Sequence, residues 1–414
     1  MKFEDYKIAD EIKRNLARMG FRRPTDIQFK SIPSILKGED VLAIAQTGTG
    51  KTAAFAIPVI SMLHTRKSSS RSTGIRCLVM VPTHELAIQI HEVFVSLAVH
   101  TRVRTACIYG GVDQEPQIKK LNDGVDILVA TPGRMFDLVS QKHLRLSDVD
   151  LLILDEADHM LALGFLNDIR QLVRRLSTRR QTLFFSATID EHIKKLAYSL
   201  VANPVRIQIS PKNSVSKNVE HVVAFIGMDD KRFFLERLIK DDPERKVMIF
   251  VRTKVRAERV KAAMGRVGID AETMHGDMEQ ARREESLARF KRNEVKVLIA
   301  TDVSARGIDI PGVDLVVNYD LPETEENYVH RVGRTGRGVA RGKAIAFCSP
   351  EEKESLKKIE AYIGREIRVL DIDKNSYQET IDLSEDIGND LKNIMKEIEN
   401  LEEVKRKAAK RRKS

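Results

Sequence analysis

One short stretch restricts the fold more than any other. An apolar run, Val41-Leu-Ala-Ile-Ala45, passes into Gln46-Thr-Gly-Thr-Gly-Lys-Thr52 and then into Ala53-Ala-Phe-Ala-Ile57. The order is strand, glycine-rich turn, helix. Gly48 and Gly50 let the main chain approach a phosphate chain with its N–H groups pointing inward. The helix adds the positive end of its dipole. Thr47, Gly48, Thr49 and Gly50 form the cradle, Lys51 reaches the β- and γ-phosphates, and the Thr52 hydroxyl is placed to ligate Mg²⁺. Ala45 stands where the first glycine of such a phosphate loop is usual.

The rest of the chain repeats the alternation of strand and helix. Two short helices are expected at 8–19 and 28–36, and buried parallel strands at 41–45, 76–81, 104–109, 126–130, 150–154, 181–185 and 204–208. A second alternating set begins near residue 221, with strands at 246–251, 270–274, 296–300, 314–318 and 343–348. The polar stretch 210–217 between them reads as a linker. The expectation is an α/β protein of two tandem domains, each an open, mostly parallel sheet with helices on both faces. They span 1–209 and 219–370, joined by 210–218, and only the first carries a phosphate loop. Residues 67–74 read as a polar surface loop. In 371–414, Leu391, Ile394, Met395, Ile398 and Leu401 fall at helical spacing, so a helical extension runs into a basic tail.

At 414 residues the chain has room for two or three domains of roughly 150 residues each. It has no apolar run long enough to span a membrane, and its first residues lack the apolar core of an export signal. Cys77, Cys107 and Cys348 are far apart, fit no metal spacing and read as free thiols of a reducing, cytoplasmic compartment. With no Cys/His cluster, no zinc site is expected. Of the net charge of +10, seven charges lie in the last ten residues, leaving +3 for the remainder. That balance is compatible with a nucleic-acid partner without requiring one.

The second chemical anchor is Leu151-Leu-Ile-Leu-Asp155-Glu-Ala-Asp158. A buried strand ends in acids at its carboxyl end, where open α/β sheets bind ligands. Asp155 is placed to hold Mg²⁺ through water, and Glu156 to orient or deprotonate an attacking water. Read alone, a solvated acidic cluster fits these residues equally well.

Asp155-Glu-Ala-Asp158 also spells the signature of the DEAD-box RNA helicases, and the chain resembles that family from about Phe3 to about Phe347. The resemblance implies two RecA-like domains, ATP and Mg²⁺ as cofactors, and RNA as partner. Gly20-Phe-Arg-Arg-Pro-Thr-Asp-Ile-Gln28 resembles the adenine-reading Q motif, with Phe3 as its isolated upstream aromatic. The Gln28 amide can pair with the N6 and N7 edge of adenine, and Phe21 offers the ring an apolar face. Thr83 and His84, Gly110 and Gly111, and Thr131 and Arg134 resemble the first domain's RNA-backbone motifs. Hydroxyls and guanidinium groups suit phosphate oxygens; each of these sites alone also reads as a capped turn. His84 departs from the family's usual arginine and puts one RNA contact in question.

Ser186-Ala-Thr188 resembles the motif that couples hydrolysis to strand separation, its hydroxyls directed at Asp158; it also reads as the N-cap of a helix at 190–200. In the second domain, 300–309 and 330–337 match the family's motifs V and VI. By that match Thr301 meets RNA, Gly307 allows close approach, Asp309 accepts from the ribose hydroxyl, and Arg334 and Arg337 are arginine fingers. Arg252, Thr253, Gln280 and Arg283 are the remaining RNA-facing candidates.

The resemblance implies an RNA-stimulated ATPase that separates short RNA duplexes or remodels RNA–protein complexes. Its RNA contacts, to single strands and short duplexes, go mainly to the backbone, and ribonucleoprotein partners are compatible with it. The competing reading is an ATP-dependent RNA clamp or chaperone scaffold with little strand separation. A DNA translocase of similar build is disfavoured by the Gln28 motif and the intact Asp-Glu-Ala-Asp. The tail at 405–413 reads either as an added RNA grip or as a solvated terminus.

Overall fold

The computed structural model describes residues 2–46, 48–67, 74–209, 218–305, 308, 310–336 and 341–384. They fall into two compact units, each built on a seven-stranded sheet. The strands of the first are β1 (Val41–Ile44), β2 (Cys77–Met80), β3 (Thr105–Ile108), β4 (Ile127–Ala130), β5 (Leu151–Leu154), β6 (Gln181–Ser186) and β7 (Val205–Gln208). Their order is β3-β4-β2-β5-β6-β1-β7, and every neighbouring pair is parallel.

The helices explain why these strands are apolar on both sides. α1 (Asp10–Arg18), α2 (Asp26–Leu36), α3 (Lys51–Arg66) and α4 (His84–Ala98) come first, then α5 (Glu115–Asn122) and α6 (Pro132–Ser140). α7 (Ala157–Ala162), α8 (Leu166–Arg175) and α9 (Glu191–Leu200) complete the unit. Val41, Ala43, Cys77 and Val79 share a core with Phe55 of α3 and Phe94 of α4. Their alternates Leu42, Ile44, Leu78 and Met80 share the opposite core with Met135 of α6 and Leu172 of α8. Strands covered on both faces cannot alternate with polar residues, so β1, β2, β4 and β5 read as unbroken apolar runs, whereas the edge strand β7, expected to be buried, alternates with exposed Arg206 and Gln208.

The second unit repeats this plan. Its strands are β8 (Val219–Phe225), β9 (Val247–Phe250), β10 (Ala271–Met274), β11 (Val297–Ala300), β12 (Leu315–Asn318), β13 (Gly342–Cys348) and β14 (Arg368–Val369). The order β10-β11-β9-β12-β13-β8-β14 matches the first sheet position for position, again with parallel neighbours throughout. The helices are α10 (Lys231–Lys240), α11 (Lys254–Arg266), α12 (Gln280–Lys291), α13 (Asp302–Ala305), α14 (Glu325–Val332), α15 (Lys353–Ile363) and α16 (Lys374–Asp382).

Several elements differ from expectation. β8 and β14 were not among the expected strands; β14 is two exposed residues on the sheet edge and carries no apolar signal. α2 begins at Asp26 because Thr25 and Gln28 form a reciprocal capping box. α16 packs on α10: the Tyr377 hydroxyl donates to Asp230 Oδ2 at 2.7 Å, and its ring lies 4.8 Å from Phe234. The expected helix over 391–401, the basic tail, most of the 67–74 loop and most of the linker lie outside the described residues. No described helix is long and apolar enough to cross a membrane.

Candidate active site

In a parallel sheet all carboxyl ends lie along one edge, and strand order decides which of them meet. The phosphate loop follows β1, the acids follow β5, and Ser186 closes β6; these three strands stand side by side as β5-β6-β1. Thr83 and His84 follow β2, Gly110 and Gly111 follow β3, and Thr131 follows β4; these form the adjacent group β3-β4-β2. Motifs scattered over the sequence are thus sorted into two neighbouring stretches of one edge.

Lys51 opens α3 after Gly50, whose φ of +91° a side chain would rarely adopt. A Cβ on Gly50 would also lie 2.5 Å from Gln28 Nε2. The lysine is buried, with Nζ 2.7 Å from Glu156 Oε1 and 4.0 Å from Asp155 Oδ1. Glu156 sits in the left-handed region, φ +53° and ψ +46°. Such a backbone costs a non-glycine residue roughly 1–3 kcal/mol, and here it accompanies a carboxylate paired with Lys51. Burial pushes the Asp155 carboxyl up to about 7 against the pull of Lys51. For Lys51, burial acts downward, but Glu156 and Asp155 outweigh it and the ammonium ends above its ordinary value. The site is a desolvated cation held between two acids.

The donor set suits Mg²⁺. Among the described residues no three His, Cys, Asp or Glu side chains gather into a metal cage. Mg²⁺ is typically held by one or two carboxylates with substrate phosphates and water completing the shell. Asp155, the Thr52 hydroxyl and Glu156 are hard oxygens at this loop, Glu156 being taken up by Lys51.

Gln28 is almost fully buried. Its Oε1 accepts from Thr25 N at 3.0 Å and its Nε2 donates to Gly50 O at 3.2 Å. The sequence reading missed this tie to the phosphate loop; a glutamine three residues after a threonine signals only the capping box. Phe3 lies 6.3 Å from Phe21, edge to face, against the core. Thr188 Oγ1 donates to Asp158 Oδ2 at 3.2 Å. The expected second contact is absent: Ser186 Oγ is buried with no hydrogen-bond partner. Nor does this motif cap α9; Asp190 does, accepting from Ile193 N at 2.7 Å.

In the other group, Thr83 Oγ1 caps α4 by accepting from Leu86 N at 3.4 Å. The His84 ring lies 5.6 Å from Tyr109 and lines the space over Gly110. Arg134 Nη2 donates to Val112 O at 2.8 Å, which ties the β4 and β3 turns together. Thr131 is buried, Gly111 exposed.

In the second unit the candidates follow β9, β10 and β11, again three adjacent strands. Arg252 N donates to Asp320 Oδ2 at 3.0 Å, and its Nη2 reaches Leu321 O and Glu352 Oε1 at 3.3 and 3.2 Å. Thr253 caps α11, Thr301 Oγ1 lies 3.1 Å from Ser304 Oγ, and Gln280 Nε2 donates to Glu284 Oε1 at 3.0 Å. Arg283 lies one turn further along α12 and is partly buried. Arg334 is buried, with Nε donating to His330 O at 3.1 Å. Thr47, Gly307, Asp309 and Arg337 lie outside the described residues.

Two further groups support this edge and were not anticipated. Arg331 is buried and grips Asp302 with both fork nitrogens, at 2.5 and 2.8 Å, while Nη1 donates to Asp320 O. Lys231 is wholly buried against Glu352. In the sequence Arg331 and Arg334 stand three apart in one motif, and nothing local says which of them braces the fold.

Most of the chain matches known proteins. Residues 25–196 match the DEAD/DEAH box helicase family model, and residues 230–339 match the helicase conserved C-terminal domain. The chain is 40% identical over 369 residues to the ATP-dependent RNA helicase CshA of Listeria monocytogenes, covering 89% of this chain and 70% of that one. It is 38% identical over 370 residues to the DEAD-box ATP-dependent RNA helicase RhpA of Helicobacter pylori, covering 89% and 74%. Among solved structures, S. cerevisiae Dbp5 bound to RNA and ADP BeF3 aligns with a TM-score of 0.81 at 29% identity, over 92% of this chain and 98% of that chain. Mss116p bound to ssRNA and AMP-PNP aligns with a TM-score of 0.80 at 27% identity, over 95% and 84%.

Proposed function

Because this chain belongs to the DEAD-box family of ATP-dependent RNA helicases, we propose that it hydrolyses ATP to ADP and phosphate under RNA stimulation. The cycle separates short RNA duplexes or remodels RNA–protein complexes, and the protein works in the cytoplasm. The observation that carries this reading is the buried Lys51–Glu156–Asp155 cluster at the ends of β1 and β5. It stands on the same edge as the hydroxyl and guanidinium groups that follow β2 and β4.

Lys51 exchanges its carboxylate partners for the β- and γ-phosphates, cradled by Thr47, Gly48, Thr49 and Gly50. Asp155 and Thr52 would hold Mg²⁺, which when bound neutralises phosphate charge. Glu156, released from Lys51, orients the attacking water and takes its proton. Gln28 reads the adenine edge, with Phe21 and Phe3 behind the ring, and its bond to Gly50 O reports occupancy to the phosphate loop. Thr188 holds Asp158, and the buried Ser186 hydroxyl at the end of β6, which has no partner among the described residues, joins that coupling when the site is loaded. From the second unit, Arg334 and Arg337 neutralise the charge that develops during phosphoryl transfer, and Asp309, beside Gly307, takes the ribose hydroxyl. Thr83, His84, Gly110, Gly111, Thr131 and Arg134 meet the RNA backbone from one unit; Arg252, Thr253, Gln280, Arg283 and Thr301 meet it from the other.

The test is ATP turnover with RNA, with DNA of equal length and with neither. RNA alone is expected to stimulate, and Lys51→Ala, Glu156→Gln and Arg334→Ala are each expected to abolish the stimulated rate. Equal stimulation by DNA, or full activity in Glu156→Gln, would overturn the reading. A strand-displacement assay on a short RNA duplex separates unwinding from ATP-dependent clamping, which predicts binding without displacement.

A further inference from the structure

The geometry points to a second phosphate-binding pocket, between the start of α10 and one face of α11, that holds RNA backbone phosphates beyond the contact at Arg252 and Thr253. This rests on the RNA-dependent reading above. The pocket lies wholly within the second unit and has a volume of about 460 Å³. Four arginines line it, Arg232 from α10 and Arg256, Arg259 and Arg266 from α11, against one acid, Asp229. Positions 256, 259 and 266 fall on one face of a helix.

Four guanidinium groups around one cavity repel one another, and an anion bound among them relieves that repulsion. Two are also placed against their own helix dipoles. Arg232 is the second residue of α10 and Arg256 the third of α11, where cations are disfavoured and anions welcome. Two of the arginines are held in place. Arg256 lies over the Tyr319 ring at 5.3 Å with Nε 3.1 Å from Asp320 Oδ1, and Arg232 lies over Phe233 at 4.6 Å. Fixed planar forks lose less freedom on binding phosphate than mobile ones.

The position identifies the ligand. Met228 and Asp229 follow β8 and Tyr319 follows β12, so one end of the pocket, with Arg232, Arg256 and Arg259, opens on the edge that carries Arg252, Thr301 and Gln280, while Arg266 lines the far end about 15 Å further along α11. In the order β10-β11-β9-β12 it is the next station after Arg252. A single carboxylate joins the two: Asp320 Oδ2 accepts from Arg252 N at 3.0 Å, while Oδ1 faces Arg256. A strand lying across the ends of β10, β11 and β9 therefore meets these arginines if it continues in the same direction.

The experiment is RNA binding by fluorescence anisotropy across a salt series, using the full chain, one long single strand and one too short to pass Arg252. Arg259 is exposed, so Arg259→Ala leaves packing intact, while Arg232→Ala/Arg259→Ala removes a fork from each wall. For the long strand the salt slope should fall by about 0.7 per lost phosphate contact, with affinity down roughly tenfold in the double variant and Arg259→Lys largely restoring the single one. The short strand should bind all variants alike. Unchanged affinity and slope on the long strand, or equal loss on the short one, would overturn the proposal. So would loss of stabilisation by tripolyphosphate in the double variant with RNA binding intact, which would assign the pocket to a free polyphosphate. If the unaltered protein binds no RNA, the functional reading itself fails, which is a different result.

Discussion

Lys51 and Lys231 are each the first residue of the helix after the first strand of their sheet, α3 after β1 and α10 after β8. Each approaches an aspartate beyond a strand of equivalent position: Lys51 lies 4.0 Å from Asp155 after β5, and Lys231 3.9 Å from Asp320 after β12. Beyond this the two diverge. Lys51 follows a glycine turn and is held by Glu156. Lys231 follows Gly227-Met-Asp-Asp230, whose acids repel phosphate, and donates to Tyr319 O at 2.7 Å and Glu352 Oε2 at 2.5 Å. Glu352 is itself saturated by Leu321 N, Ser349 N and Arg252 Nη2. Burial prevails over the acids at Lys231 and lowers its pKa, whereas at Lys51 the acids prevail and raise it. A parallel sheet brings a lysine and an aspartate together at this point in both units. The turn before the lysine and the groups that saturate it decide whether the pair receives a ligand or becomes part of the core.

The sharpest break in this comparison should come from chemistry. Glu156→Gln is expected to lower kcat for ATP by about 10²–10⁴-fold, the range for a lost general base, with nucleotide affinity retained in an equilibrium binding assay. Lys231→Ala should act on stability instead. It takes the buried cation from Glu352 and Asp320, which keep only the partly exposed Arg252 and Arg256 as counter-charges, at a cost of about 3 kcal/mol, the low end for a broken buried pair, read as a fall in the urea midpoint. If Lys231→Ala folded normally and lost turnover as Lys51→Ala does, the division between a working and a structural lysine would collapse.

Acid should then separate the units further. His221, on β8, is nine-tenths buried, with Nδ1 2.9 Å from the Tyr328 hydroxyl. Burial, helped by Arg365, pushes its pKa down to about 4. The unfolded chain takes up this proton near pH 6.5 and the folded one only near 4. The neutral imidazole's contribution is therefore complete above 6.5 and is lost as pH falls between those values. It amounts to at most about 3 kcal/mol, reduced by whatever water screens at the ring. Urea titrations at pH 7.5 and 4.5 should show a smaller acid loss for His221→Asn, and hydrogen exchange should place the difference in β8 and β13. An acid loss identical in both proteins would sink this assignment.

The smallest expected effect on activity concerns Glu352 as a positioning residue. Glu352→Gln keeps the shape but removes the buried charge opposite Lys231, so it also lowers stability as Lys231→Ala does. Its amide N–H faces a donor pair, which loosens Arg252 Nη2. The variant should raise the RNA concentration needed for half-maximal ATPase a few-fold, roughly 1 kcal/mol for one charge-assisted bond, with kcat for ATP nearly unchanged. An equal fall in kcat would mean that Glu352 serves the fold at large.

Much of the site was legible because its chemistry is local. A glycine turn before Lys51 and acids after an apolar strand depend on neighbours a few residues away. The same holds for the strands: both faces are covered, so the apolar runs stand out, whereas β14, two exposed residues on the edge, left no trace. Partnerships across the fold were illegible. The Gln28–Gly50 bond, the unpartnered Ser186 hydroxyl, the capping of α9 by Asp190 and the burial of Arg331 each depend on which side chain is turned inward.

The amino-acid order by itself determined the repeated strand–helix alternation, the phosphate loop and the acids beyond β5, because each follows from hydrophobic period and backbone freedom over short spans. Only the tertiary structure decided that the ends of β5, β6 and β1 meet, that Lys231 is sealed while Lys51 stands between two acids at the site, and that arginines of α10 and α11 line one pocket reaching toward Arg252. Strand order and burial arise from contacts between residues far apart in the chain, and those contacts carry no signature in the local sequence.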